Sequence, residues 1–250
     1  MMTTPLPDLV AESERVLAAA RERGVVLRLA GGLAIRRLCP AASMPPLNRR
    51  YADLDLAIAG GGAHRPLSDL LRGLGYQAES TFNALNGSTR LQFIDSANGR
   101  HVDVFVDAIR MCHVIDFKER LQLFEATLSP ADLLLTKLQI VELNDKDVLD
   151  TLALLHDLTL TRGNGPGIDI DHLERVWGDD WPLWKTSQLT LDKIRRAVPS
   201  ILEEPASTRV LRSIAGVQTV LDSGRKGLRW KLRARVGERV RWYELPEEVG

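Results

Sequence analysis

Asp53-Leu54-Asp55-Leu56-Ala57-Ile58 is the stretch that decides how this chain is read. In a strand, alternate side chains point to opposite faces, so Leu54, Leu56 and Ile58 enter a core while Asp53, Asp55 and Ala57 face the other way. Two carboxylates about 7 Å apart along one strand face repel each other, and acids are depleted in strands. A divalent cation relieves that repulsion. The competing reading is an edge strand with solvated acids.

Upstream, the spacing of Leu9, Ser13, Val16, Leu17 and Ala20 predicts a helix over 8–23, ended by Gly24. Val25 to Ala30 reads as a short strand that runs into Gly31-Gly32, and Leu33 to Leu38 returns to helical spacing. Glycines at a strand-to-helix junction present backbone N–H groups to an anion with no Cβ in the way. Taken alone they read first as a plain tight turn, and the acids downstream are what turn the reading towards an anion site. Pro40, Pro45, Pro46 and Asn48 make 39–50 a loop, with Arg36, Arg49 and Arg50 as candidate phosphate contacts beside it.

Downstream, Gly60-Gly61-Gly62 breaks the strand, and a helix is predicted over 66–74 with Leu67, Leu70, Leu71 and Leu74 inside. Residues 90–95 and 101–106 flank Asn98-Gly99, the preferred dipeptide of a two-residue hairpin turn. That turn sets Leu91 opposite Val106, Phe93 opposite Val104 and Asp95 opposite Val102 as the apolar face. Asp103 then shares the outward face with Gln92, Ile94 and Phe105. Asp107 lies on the same face as a rival third carboxylate, nearer the strand end.

A helix is expected over 117–126. Ser129-Pro130-Ala131-Asp132 is a helix start that carries on through Leu134, Leu138 and Val141, and Asn144-Asp145 begins another through Leu155. So short a connection predicts an antiparallel helix pair. Lys137 reads either as a phosphate contact or as a surface lysine lying along apolar packing. Arg162-Gly163-Asn164-Gly165-Pro166-Gly167 reads as a hinge, followed by helices at 169–177, 181–197 and 206–223. All five tryptophans lie beyond it, forming either core or a dimer surface. From Arg225 to Arg241 eight cations stand against one acid, Glu238, while Leu228, Leu232, Val236 and Val240 recur every fourth residue. This predicts an amphipathic helix with a basic outer face, either simply solvated or in contact with RNA or DNA.

A chain of 250 residues, 44% hydrophobic and 26% charged, can bury a sizeable core, and those figures argue against disorder. A formal net charge of +0 gives no global bias towards nucleic acid or membrane. Cys39 and Cys112 match no metal spacing and read as reduced buried thiols. His64, His101, His113, His156 and His172 show no ligand spacing. No apolar run is long enough for a membrane span, and Met1 to Glu12 lacks a basic region followed by an apolar one. A soluble, cytoplasmic protein is expected.

Gly31-Gly32, Asp53-Leu54-Asp55 and Val102-Asp103-Val104 resemble the signature of the DNA-polymerase-β-type nucleotidyltransferase superfamily. The later helices bearing Lys137, then Asp147 and Asp150, are similar to its abortive-infection, type IV toxin-like branch. The resemblance covers roughly residues 25–158. It implies an α+β fold, with a small mixed sheet covered by helices on one face and open on the other. An all-helical C-terminal domain would follow, giving domains at 1–160 and 168–250. It further implies that Asp53 and Asp55 bind two Mg²⁺ ions and that Asp103 completes the site and helps to deprotonate the acceptor. Gly31, Gly32, Arg50 and Lys137 would receive a nucleoside triphosphate such as ATP. The acceptor would be a small molecule, or RNA, tRNA or protein as for a toxin-antitoxin-like enzyme. The alternative is a catalytically silent nucleotide-binding or interaction module on the same fold.

Overall fold

Apolar alternation and glycine punctuation translate into a small mixed sheet flanked by helices. The computed structural model describes residues 3–245. It is of the α+β class, 54% helix against 14% strand, so helices supply most of the packing surface.

The elements run in the order α1 (Leu9–Glu22), β1 (Arg28–Leu29), α2 (Gly31–Leu38), β2 (Leu54–Ile58), α3 (His64–Gly73), β3 (Gln77–Ala78), α4 (Ser80–Asn86), β4 (Arg90–Asp95) and β5 (Arg100–Val106). The sheet order is β1-β2-β5-β4-β3, with β2 and β5 parallel and the other pairs antiparallel. After it come β6 (Ala108–Arg110) and β7 (Val114–Asp116), a separate pair, then α5 (Pro130–Leu138), α6 (Asp145–Asp157), the short pair β8 (Leu160–Thr161) and β9 (Ile168–Asp169), α7 (Ile170–Asp179), α8 (Trp181–Ile201), α9 (Ala206–Ser223) and α10 (Leu228–Val236).

Two compact units emerge. The first holds the residues up to Ala34, Arg50–Ile109 and Asp116–Ser129; the second holds Ile35–Arg49, Arg110–Ile115 and the chain from Pro130 onward. The sequence-based division at 160–168 does not coincide with them. The physical reason is α5, where every residue but Lys137 is buried. A helix apolar on all sides has to be enclosed by other helices, and within the second unit α5 packs against α6, α7 and α8.

In the first unit, Leu54, Leu56, Ile58, Phe93, Val102 and Val104 are buried, as the alternation requires. Asp8 caps α1 by accepting from Ala11 N–H at 2.7 Å, and Gly24, at φ +67°, turns the chain after it. Fully buried Glu12 is held by Arg15, the Tyr76 hydroxyl and Leu6 N–H.

The hairpin register differs from the expected one by two residues: Leu91 pairs with Val104, Phe93 with Val102 and Asp95 with Arg100. Asp95 is the cause. Its carboxylate accepts from the N–H groups of Ala97 and Asn98, both at 3.1 Å, which folds Ser96–Gly99 into a longer loop closed by Gly99 at φ +64°. An even slip preserves the faces, so Asp103 still points away from the apolar side, now opposite Gln92.

The helix expected over 117–126 is absent; only Lys118–Arg120 makes a 3₁₀ turn. That stretch serves an edge instead. Leu29 N–H donates to Ala126 O at 2.8 Å and Leu128 N–H to Leu29 O at 2.9 Å, satisfying the outer side of β1. Phe117 and Leu121 are the buried anchors.

In the second unit, Asn144 caps α6 through Asp147 N–H, and Asp180 caps α8 through Leu183 N–H. Trp177 and Trp181 are core residues, the former donating to Ser187 Oγ at 3.0 Å. The C-terminal basic segment corrects the expected amphipathic helix. Gly237, at φ +59°, ends α10, and Leu228, Leu232, Val236 and Val240 are exposed rather than buried. Aromatic contacts win the inner side. Trp230 packs edge-on against Trp184 at 5.1 Å, and Arg233 lies over the Trp181 ring at 4.6 Å. Among the described residues no helix is long and apolar enough to cross a membrane.

The same unit carries a pH-sensitive contact. His113 is buried, with its Nε2 2.7 Å from Thr186 Oγ1, and burial pushes its pKa down from 6.5 to about 4. A histidine held neutral in the fold but free to protonate when unfolded lets stability fall as the pH drops from 6.5 towards 4. His113→Gln is expected to flatten urea-denaturation stability across that window; an unchanged slope would show that His113 does not set it.

Candidate functional site

Every sequence-predicted acid lies on or beside β2 and β5. Asp55 and Asp103 are register partners on these parallel neighbours, so their Cα atoms are about 4.8 Å apart and their side chains share a face. Both are half-buried, whereas Asp53 is exposed in the segment just before β2.

The glycine junction is built against this pair. Leu29 pairs with Leu56, Ala30 N–H donates to Asp55 O at 2.9 Å, and Gly31 at φ +57° turns the chain straight into α2. A Cβ on Gly31 would lie 2.0 Å from Asp55 Oδ2 and 2.9 Å from its Cγ. The Asp55 carboxylate therefore rests on the start of α2, where no side chain can intervene. Gly31→Ala adds left-handed strain to that collision and is expected to cost about 1–2 kcal/mol and to displace the carboxylate. Thermal melting checks the first effect, and loss of divalent-cation binding checks the second.

Asp103 is not a bare carboxylate. Arg90 grips it with Nε on Oδ1 at 2.9 Å and Nη2 on Oδ2 at 2.8 Å, and Gln92 Nε2 adds a bond of 3.1 Å to Oδ1. The Arg90 guanidinium also lies 5.4 Å from the Phe105 ring centre and 6.0 Å from that of Phe82 on α4. Two ionised carboxylates about 5 Å apart at a partly solvated site repel by about 3 kcal/mol. Arg90 offsets that repulsion.

Asp107, the rival third acid, has a different task. It sits at φ 64°, accepts Gly60 N–H at 2.7 Å and pairs with Lys118 at 3.5 Å, pinning the glycine loop after β2. Arg50 is exposed in the irregular segment leading to Asp53.

Lys137 belongs to the second unit, inside a charge cluster. Its Nζ is 2.9 Å from Asp147 and 2.8 Å from Asp150, and Arg49 makes two further bonds of 2.8 Å to the Asp150 carboxylate. Burial works against the charge on Lys137, but the carboxylates of Asp150 and Asp147 outweigh it and raise its pKa. Burial likewise opposes the charge on Asp150, yet Arg49 and Lys137 bring its pKa below the ordinary value.

The donor set at Asp55 and Asp103 is oxygen only, which suits Mg²⁺. That ion commonly takes one or two protein carboxylates and completes its shell with phosphate and water. Among the described residues no three or more His, Cys, Asp or Glu side chains are grouped around one point. The residues present thus fit Mg²⁺ in its two-carboxylate form. Sequence reasoning put Gln92 on the face of Asp103 but missed that it stands directly opposite it, and missed Arg90; the signal was Asp95 preceding Ser96-Ala97-Asn98-Gly99, an Asx turn that resets the register.

No protein-family model and no curated protein matches this chain. A solved structure, that of JHP933 from Helicobacter pylori, is similar over 91% of this chain and 96% of its own, at 10% identity and a TM-score of 0.36.

Proposed function

We propose that the protein is a metal-dependent nucleotidyltransferase that moves a nucleoside monophosphate from a triphosphate to a hydroxyl or phosphate acceptor. The observation that carries this reading is the register pairing of Asp55 with Asp103 beside the left-handed Gly31. In the reaction an acceptor oxygen forms a bond to the α-phosphorus, the bond from that phosphorus to the bridging oxygen breaks, and pyrophosphate leaves. The acceptor proton passes to a carboxylate, with Asp103 in that role. Asp55 and Asp103 would hold Mg²⁺, with exposed Asp53 as the further acid that would join them, and the ion would supply charge stabilisation for the attacking and leaving oxygens. Gly31, Gly32 and Arg50 receive the phosphates. Exposed Arg229, Lys231, Arg235 and Arg239 favour RNA as acceptor through phosphate contacts.

A second reading, a silent nucleotide-binding module, is favoured by one observation: Asp103 already carries a guanidinium counter-charge. Incubation with each α-labelled triphosphate and Mg²⁺, with total RNA in one set and cell protein in another, separates the two. Label in RNA is the expected result, and label in protein would move the acceptor. Tight triphosphate binding without transfer would establish the silent module.

A further inference from the structure

We propose that Arg90, the ion-pair partner of Asp103, is also a triphosphate-binding residue, so that one side chain couples nucleotide loading to metal loading. The proposal builds on the nucleotidyltransferase reading.

The first unit has two other guanidinium–carboxylate pairs with a buried acid, and they behave differently from Arg90, as they do from the open surface pair of Arg21 with Glu125. Arg100, on buried Asp95, also ties down the carbonyls of Leu6 and Pro7. Arg15, on buried Glu12, holds the Leu74 carbonyl. Both are anchors of the chain trace. Among the described residues Arg90 binds no backbone group and has Asp103 as its polar partner, and its side chain is 33% exposed against 10% for Arg100. A pair that fastens no backbone, on the face that carries the second acid, is not needed to close the fold.

The guanidinium fork matches carboxylate and phosphate oxygens in the same bidentate way. Phe105 and Phe82 give it an apolar rest that does not compete for its N–H groups. Asp103 is the register partner of Asp55, which touches Gly31. An anion arriving at the start of α2 therefore comes within the neighbourhood of Arg90, and a cation arriving at Asp55 meets an Asp103 that Arg90 neutralises. The two ligands pull in one sense: phosphate takes the arginine, and the released carboxylate takes the metal.

The test separates the ligands. Mn²⁺ alone is titrated by its paramagnetic resonance signal, and non-hydrolysable triphosphates are titrated in chelator with no metal present. Relative to the parent protein, Arg90→Gln is expected to bind Mn²⁺ about tenfold more tightly and triphosphate about tenfold more weakly, the scale of one lost charge-assisted pair. Arg90→Lys, which keeps the charge but loses the fork, is expected to fall between on both axes. Opposed shifts are the signature, because general loosening of the fold would weaken both. Shifts in the same direction, or no shift in either titration, would overturn the proposal while leaving the enzyme reading intact. A parent protein that binds neither Mn²⁺ nor any of the triphosphates would remove the enzyme reading and this inference with it.

Discussion

Asp53→Ala is expected to lose nucleotidyl transfer by about 10³-fold or more while melting within a degree or two of the parent protein. The two halves of that expectation have separate causes. Asp53 is exposed and precedes β2, so its removal disturbs no packing. Its carboxylate is two residues from Asp55, and on the nucleotidyltransferase reading it would add a third acid to the Asp55–Asp103 pair, so that its removal would leave less charge stabilisation for the leaving pyrophosphate. Asp55→Asn is expected to lose turnover equally. Asp107→Ala is the matched control. It abandons Gly60 N–H and Lys118 and is expected to lower stability by about 1–2 kcal/mol with turnover retained. Transfer that survives in Asp53→Ala would sink the assignment, and transfer lost in Asp107→Ala at full stability would move the third acid from Asp103 to Asp107.

Local chemistry made most of this arrangement legible. The glycine junction, the alternation at 54–58 and the helix start at Asn144 each depend on neighbours in sequence, and each forms where the pattern puts it. The failures share a different origin. Residues 117–126 have helical spacing, but the Ala126 carbonyl is claimed by Leu29 N–H and the Leu121 carbonyl by Arg28, both some hundred residues earlier, and Phe117 N–H donates to the Asp107 carbonyl. Leu228, Leu232 and Val236 have the spacing of an inner face, but Trp230 and Arg233 find better partners in Trp184 and Trp181. In the site, periodicity put the acids on one face, yet it is silent about which cation a carboxylate meets. Arg90 became visible only when Asp95 fixed the hairpin loop and with it the register.

The second large effect belongs to the buried charges of α5 and α6. Asp150→Ala is expected to destabilise the protein by about 3–5 kcal/mol in urea denaturation, the scale for removing one partner from a buried ionic group. Asp150 is 2% exposed and faces both Arg49 and Lys137, themselves 13% and 12% exposed. Its loss takes two bonds from Arg49 and one ion pair from Lys137, which keeps Asp147. The acid limb gives an independent check. Because the pKa of Asp150 is lowered from 3.8 in the fold, its contribution is present above that value and lost as the pH falls through the folded one. Asp150→Asn, of nearly the same shape, is therefore expected to show a shallower decline in stability below pH 4 than the parent protein. Replacing Arg49, Lys137 and Asp150 together by Met, Met and Leu tests what the cluster is for. Desolvating three charges costs so much that an apolar triplet of similar volume is expected to recover most of the loss from Asp150→Ala. Recovery would make the ions a device for registering α5 against α6, and a triple variant no more stable than the single one would make them a net source of stability.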